Sequence, residues 1–135
     1  MLSYQQPDLR ILVVDDHELT RFSLKLALAR QKNIQLVGLA SNGEEAIALV
    51  KAHFPDVVVL DLQMPVMDGF SASVQIKKIK PSTQIVAYSS CEEQQLEKVN
   101  KHNCIDAFCR KDANTETLIE IVKQLGQKGH GKKPA

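Results

Sequence analysis

The chain has 135 residues, 44% of them hydrophobic and 24% charged, and a formal net charge of +1. That is the size and composition of one ordinary globular domain, with no global electrostatic pull toward nucleic acid or a membrane. No apolar run reaches the about 18 residues of a transmembrane helix, and the polar start from Met1 to Asp8 lacks a signal peptide's apolar stretch, so the expected compartment is the cytoplasm.

In chain order, the first apolar run is Ile11-Leu12-Val13-Val14, followed at once by Asp15 and Asp16. Leu19, Phe22, Leu26 and Ala29 then recur at helical spacing and are read as the apolar stripe of a first helix, with Asp16 able to cap it. The second run is Leu36 to Leu39. Ser41 with Glu44, or Asn42 with Glu45, has the spacing to cap a second helix that carries Ala46, Ile47, Leu49 and Val50. The third run, Val57 to Leu60, ends on Asp61. Val74 to Ile79 marks a third helix that Pro81 stops. The fourth run, Ile85 to Tyr88, ends on Ser89. Ser90 and Glu93 have capping-box spacing before a fourth helix, about Cys91 to His102, whose only clear apolar anchors are Leu96 and Val99. A weaker fifth run, Ile105 to Cys109, precedes Lys111. Leu118, Ile121, Val122 and Leu125 line a fifth helix, with Asn114 as N-cap and Gly126 near its end.

Strand and helix alternate five times, and three of the runs are continuous and rich in β-branched residues, as in strands covered on both faces. The fold class expected is α/β, a doubly wound five-stranded parallel sheet with right-handed crossovers. The domain is expected over 9–126, with 127–135 a polar, disordered tail or linker rather than a nucleic-acid contact. Cys91, Cys104 and Cys109 are odd in number and lack C-x-x-C pairing, so they are expected as free thiols and not as zinc ligands.

Ligands of a doubly wound sheet bind at the carboxyl ends of its strands. Asp15, Asp16, Asp61, Ser89 and Lys111 all fall there. Carboxylates about 4 Å apart at an effective dielectric near 20 repel by roughly 4 kcal/mol per pair, so such a cluster must protonate, disperse or bind a cation. Oxygen donors favour Mg²⁺ over softer metals. Helix caps account for a lone Asp after a strand, but not for an acidic doublet with a lysine opposite. His17, on the first turn of an exposed helix, is read as a surface residue rather than a general base.

These residues resemble the response-regulator receiver family. Ile11 to His17 looks like that family's first strand and acidic doublet, and Leu60-Asp61-Leu62-Gln63-Met64-Pro65-Val66-Met67-Asp68-Gly69 like its phosphoacceptor loop. Ser89, Phe108 and Lys111 stand at its hydroxyl, aromatic switch and lysine positions. The resemblance spans about Leu9 to Leu125 and is closest to the branch that carries a helix-turn-helix output domain, which this chain does not include. It implies a flavodoxin-like fold, with the first and fifth helices on one face and the second to fourth on the other. It implies Asp61 as phosphoacceptor, and Mg²⁺ held by Asp15, Asp16, Asp61 and the backbone carbonyl of Gln63. Lys111 and Ser89 would steady the transferred group, while Ser89 and Phe108 would couple it to a face built from the fourth helix, fifth strand and fifth helix. The implied partner is a sensor histidine kinase or a histidine phosphotransfer protein, with a homodimer on phosphorylation left open and no direct nucleic-acid contact by this chain. Asp112 after Lys111 argues for a trans bond, and Asn103 tolerates a left-handed turn.

Two other classes compete. A magnesium-dependent phosphatase of the haloacid-dehalogenase type also uses an Asp after a strand, but needs a second Asp where Gln63 stands, and an amide cannot shuttle a proton. A flavin-binding module would cradle a phosphate at the first loop, where Asp15 and Asp16 repel it.

Overall fold

The computed structural model describes residues 8–90, 100 and 103–130, with side chains to residue 127. Its strands are β1 (Leu9–Val14), β2 (Ile34–Ala40), β3 (Val57–Leu60), β4 (Gln84–Ser89) and β5 (Ala107–Arg110). Its helices are α1 (Glu18–Ala29), α2 (Gly43–His53), α3 (Gly69–Ile79) and α4 (Thr115–His130), the last being the fifth helix expected. The fourth expected helix falls outside the described residues apart from Asn100.

The strands form one parallel sheet in the order β2-β1-β3-β4-β5. Every residue of β3 is buried, the pattern of a strand covered on both faces. On one face Leu12, Val14, Val58 and Leu60 pack with Ala46 and Val50 of α2 and Ala72 and Ile76 of α3. On the other, Ile11, Val13, Val57 and Val59 pack with Leu24 and Leu28 of α1 and Leu118 and Val122 of α4. The alternation of side chains along each strand splits the core in this way. Strand order reverses about β1 and β3, so a crevice opens beyond their carboxyl ends.

Several caps match the sequence. Asn42 accepts from the Glu45 amide at 2.9 Å, while Glu45 reaches back to the Ser41 amide at 2.7 Å. Asn114 accepts from the Thr117 amide at 3.0 Å, α3 stops at Ile79, and Asn103 takes a φ of 51°. The Lys111–Asp112 bond is trans.

Four expectations are corrected. The stripe of Leu19, Phe22 and Leu26 does not face the core: these side chains are 81%, 56% and 47% exposed, and Leu24 and Leu28 are buried instead. Helix α1 carries two apolar stripes, and the Leu24/Leu28 pair (i, i+4) meets the sheet. Asp16 does not cap α1, whose N-cap is His17, with no side-chain capping hydrogen bond to the helix. Gly126 does not end the last helix, which runs on to His130 through what was read as tail. A Cβ at Gly126 would lie 2.3 Å from Leu9 Cδ1, so this glycine allows β1 and α4 to approach closely. Finally, β5 begins at Ala107, and Ile105 packs into the α2/α3 core from the preceding loop.

Candidate functional site

The sheet's hydrogen-bond ladder continues past the strand ends and fixes the residues that follow. The Asp15 amide donates to Ala40 O at 3.0 Å, the Asp61 amide to Val14 O at 2.9 Å and the Lys111 amide to Ser89 O at 2.9 Å. After Asp61 the chain folds back on itself, and the Gly69 amide donates to Leu62 O at 3.1 Å. A Cβ on Gly69 would lie 2.3 Å from Asp61 O, so only glycine permits this closure. Asp68 then caps α3 by accepting from the Ser71 amide at 2.9 Å. Within the loop Val66 holds a φ of 72°, a left-handed conformation that a β-branched residue rarely adopts.

Asp15 and Asp61 are 1% and 2% exposed. Lys111 Nζ lies 2.8 Å from Asp15 Oδ2 and 3.4 Å from Asp61 Oδ2, and 5.8 Å from the Tyr88 ring centroid. Asp61 Oδ1 accepts from the Gln63 amide at 3.0 Å. Asp61 Oδ2 is buried, and among the described residues nothing hydrogen-bonds to it. Burial pushes the Asp61 carboxyl above the usual range, the Gln63 amide opposes this, and the Asp15 charge adds to it. Burial pulls the Lys111 ammonium down, but the Asp15 and Asp61 carboxylates outweigh it and hold the lysine above its ordinary value.

The structure brings Asp15, Asp16, Asp61 and Lys111 into one pocket, and buries Ser89 at the end of β4 beside it. Gln63 enters through its amide. Phe108 lies half-buried on β5 and packs on the α2/α3 side of the sheet. Two groups join the pocket that the sequence did not assign to it: His17, read there as a surface residue, and Arg21. His17 is exposed, but its Nδ1 turns into the pocket, 2.9 Å from Asp15 Oδ1 and 3.1 Å from Asp16 Oδ1. Arg21 donates to the Asp15 carbonyl at 2.7 Å. Both follow the acidic doublet closely, and His17 adjoins it, which was the available signal. Carboxylates converging on an orphaned buried oxygen suit a divalent cation.

Residues 11–123 match the family model described as the response regulator receiver domain. Response regulator GacA of Pseudomonas aeruginosa is 30% identical over 117 residues, which are 87% of this chain and 55% of GacA. Response regulator protein VraR of Staphylococcus aureus is 31% identical over 119 residues, 88% of this chain and 57% of VraR. The chain thus spans about half the length of these curated relatives. The receiver domain of the response regulator NarL from Mycobacterium tuberculosis superposes with a TM-score of 0.77 at 29% identity, covering 87% of this chain and 98% of that one. A LuxR-family two-component response regulator from Aurantimonas sp. SI85-9A1 shares the fold, with a TM-score of 0.83 at 21% identity over 90% of this chain and 86% of that one. A model that covers most of the chain, relatives of this identity and a parallel sheet with acidic residues at its carboxyl end agree: the chain belongs to the response regulator receiver domain family.

Proposed function

We propose that Asp61 is the phosphoacceptor of this receiver domain. The observation that carries the reading is Asp61 Oδ2: buried, accepting no hydrogen bond among the described residues, and ion-paired with the Lys111 ammonium at 3.4 Å. With Oδ1 held by the Gln63 amide, Oδ2 is the oxygen available to attack a phosphohistidine's phosphorus. The P–N bond breaks as the P–O bond forms, and the imidazole nitrogen leaves. Lys111 neutralises a phosphoryl oxygen, and the Ser89 hydroxyl donates a hydrogen bond to another. Asp15, Asp16, Asp61 and the Gln63 carbonyl are the proposed Mg²⁺ ligands. The cation offsets the charge of the carboxylates and of the incoming group when bound.

The donor is a sensor histidine kinase or a histidine phosphotransfer protein. The exposed Leu19, Phe22 and Leu26, on the helix that leaves the pocket, offer it an apolar landing surface. Beyond self-phosphorylation and self-dephosphorylation the domain is a switch and not an enzyme. The receiver unit is 9–126. Its output is transcription regulation through a DNA-binding domain elsewhere in the full-length protein, reached when Ser89 moves toward the phosphoryl group and Phe108 turns inward. A phosphatase of the haloacid-dehalogenase type is not favoured, because Gln63 cannot deliver a proton to a leaving group.

Acetyl phosphate with Mg²⁺ should label the wild-type protein. Asp61→Asn, or EDTA, should abolish labelling. Equal labelling of the Asn variant sinks the assignment.

A further inference from the structure

The imidazole of His17 has no part in the phosphoacceptor chemistry above. Its ring is 63% exposed, yet Nδ1 turns inward: it hydrogen-bonds Asp15 Oδ1 at 2.9 Å, a contact a bound cation would replace, and lies 3.1 Å from Asp16 and 4.0 Å from Asp61. The backbone turns it there, because the His17 amide also donates to Asp15 Oδ1 at 2.8 Å. One ligand atom from each of Asp15, Asp16, His17 and Asp61 lies within 4.8 Å of the others. Bonds of about 2.0–2.2 Å from one cation put ligand atoms no more than about twice that distance apart, so a few tenths of an ångström would close the set. Apart from the attacking oxygen of Asp61, the buried Asp15 Oδ2 and Asp16 Oδ1 have no hydrogen bond among the described residues, a second sign that the pocket is built around a cation.

We propose that His17 is a metal ligand, and that this pocket takes late first-row divalent cations such as Ni²⁺ or Co²⁺ in preference to Mg²⁺. The inference rests on the receiver reading of the pocket and goes past it. A set of carboxylate oxygens alone suits Mg²⁺ and discriminates weakly. An imidazole nitrogen changes the donor chemistry, since nitrogen suits nickel, cobalt and zinc and gains little with magnesium. Removing His17 costs a nitrogen-seeking cation one bond and leaves an oxygen-seeking one its carboxylates and waters. The ions therefore compete for one site, and His17 decides how strongly.

Calorimetric titration of the full chain with NiCl₂ and with MgCl₂ tests this, repeated on His17→Ala and His17→Gln. Counting only Ni²⁺ that excess Mg²⁺ displaces restricts the reading to this pocket. The ratio of Ni²⁺ to Mg²⁺ affinity should fall by about tenfold or more in both variants. Co²⁺ bound to the wild type should show visible absorption bands that move when His17 is replaced. An unchanged ratio, or unmoved Co²⁺ bands, overturns the ligand role while Mg²⁺ binding leaves the receiver reading standing. If neither Mg²⁺ nor Ni²⁺ binds, the cation pocket itself is wrong and the proposal falls with it.

Discussion

The two ends of the sheet hold the same kinds of side chain in opposite electrostatic states. At the amino end, Asp56 accepts from the Arg10 amide at 2.9 Å and has Lys80 at 3.8 Å. Asp106 accepts from the Ile85 amide at 2.8 Å and from Lys77 at 2.7 Å, and Lys77 also reaches the Thr83 carbonyl at 2.6 Å. Each carboxylate there has its own amide and its own cation, and such a group does nothing but hold strands in place. At the carboxyl end Asp15, Asp16 and Asp61 converge on Lys111 and His17, and three buried oxygens, Asp15 Oδ2, Asp16 Oδ1 and Asp61 Oδ2, are left without a hydrogen bond among the described residues. An aspartate beside a strand is thus uninformative by itself. What separates a structural group from a working one is whether the surroundings have already satisfied it.

The contrast is open to mutation. Asp106→Ala should cost the most, about 1–3 kcal/mol, because it strands the Ile85 amide and the Lys77 ammonium. Urea denaturation measures it, and a loss near zero would erase the structural half of the comparison. Asp61→Asn should act in the other direction and raise the melting temperature of the metal-free protein at neutral pH. The sign follows from the raised carboxyl. A group that holds its proton more tightly when folded stabilises the fold at low pH. That stability is lost as pH rises from the ordinary carboxylate range through the raised value. The wild type should show this loss without cation, the Asn variant should lack Asp61's share of it, and Mg²⁺ should offset it. A lower melting temperature in Asp61→Asn would mean that Lys111 already satisfies the site.

Strain lies at the same end. Val66 is 77% exposed, so Val66→Gly loses little packing and relieves a φ of 72°. A gain of about 0.5–1 kcal/mol is expected after the glycine's own entropy cost; a loss would show that the side chain, not the backbone, matters there. The smallest change is expected at Phe22→Ser, within about 0.5 kcal/mol for an exposed site, although phosphotransfer from the protein donor should slow. A large destabilisation would return Phe22 to the core.

That last pair of outcomes bears on what the sequence disclosed. Continuous apolar runs such as Val57 to Leu60 declared buried parallel strands, and the polar residues after four of the five runs marked the carboxyl end of the sheet. The placement of Asp15, Asp16, Asp61, Ser89 and Lys111 at that end was therefore legible. The rotation of α1 was not, since Leu19/Phe22/Leu26 and Leu24/Leu28 are both helical stripes and only the packing partner chooses between them. Gly126 looked like a helix end because a glycine's local meaning and its packing meaning are the same letter. His17 was read as a surface residue from its place on the first turn of an exposed helix, and its side chain is indeed mostly exposed; only its ring nitrogen turns inward, to Asp15.

Reductive trapping tests the central claim most directly. An acyl phosphate is reduced by borohydride, which converts the aspartate that carried it to homoserine. After treatment with acetyl phosphate and Mg²⁺, peptide mass spectrometry should find homoserine at position 61, and none when EDTA replaces the cation. Homoserine at position 15, 16, 56 or 106 instead, or equal conversion of Asp61 in EDTA, would contradict the account.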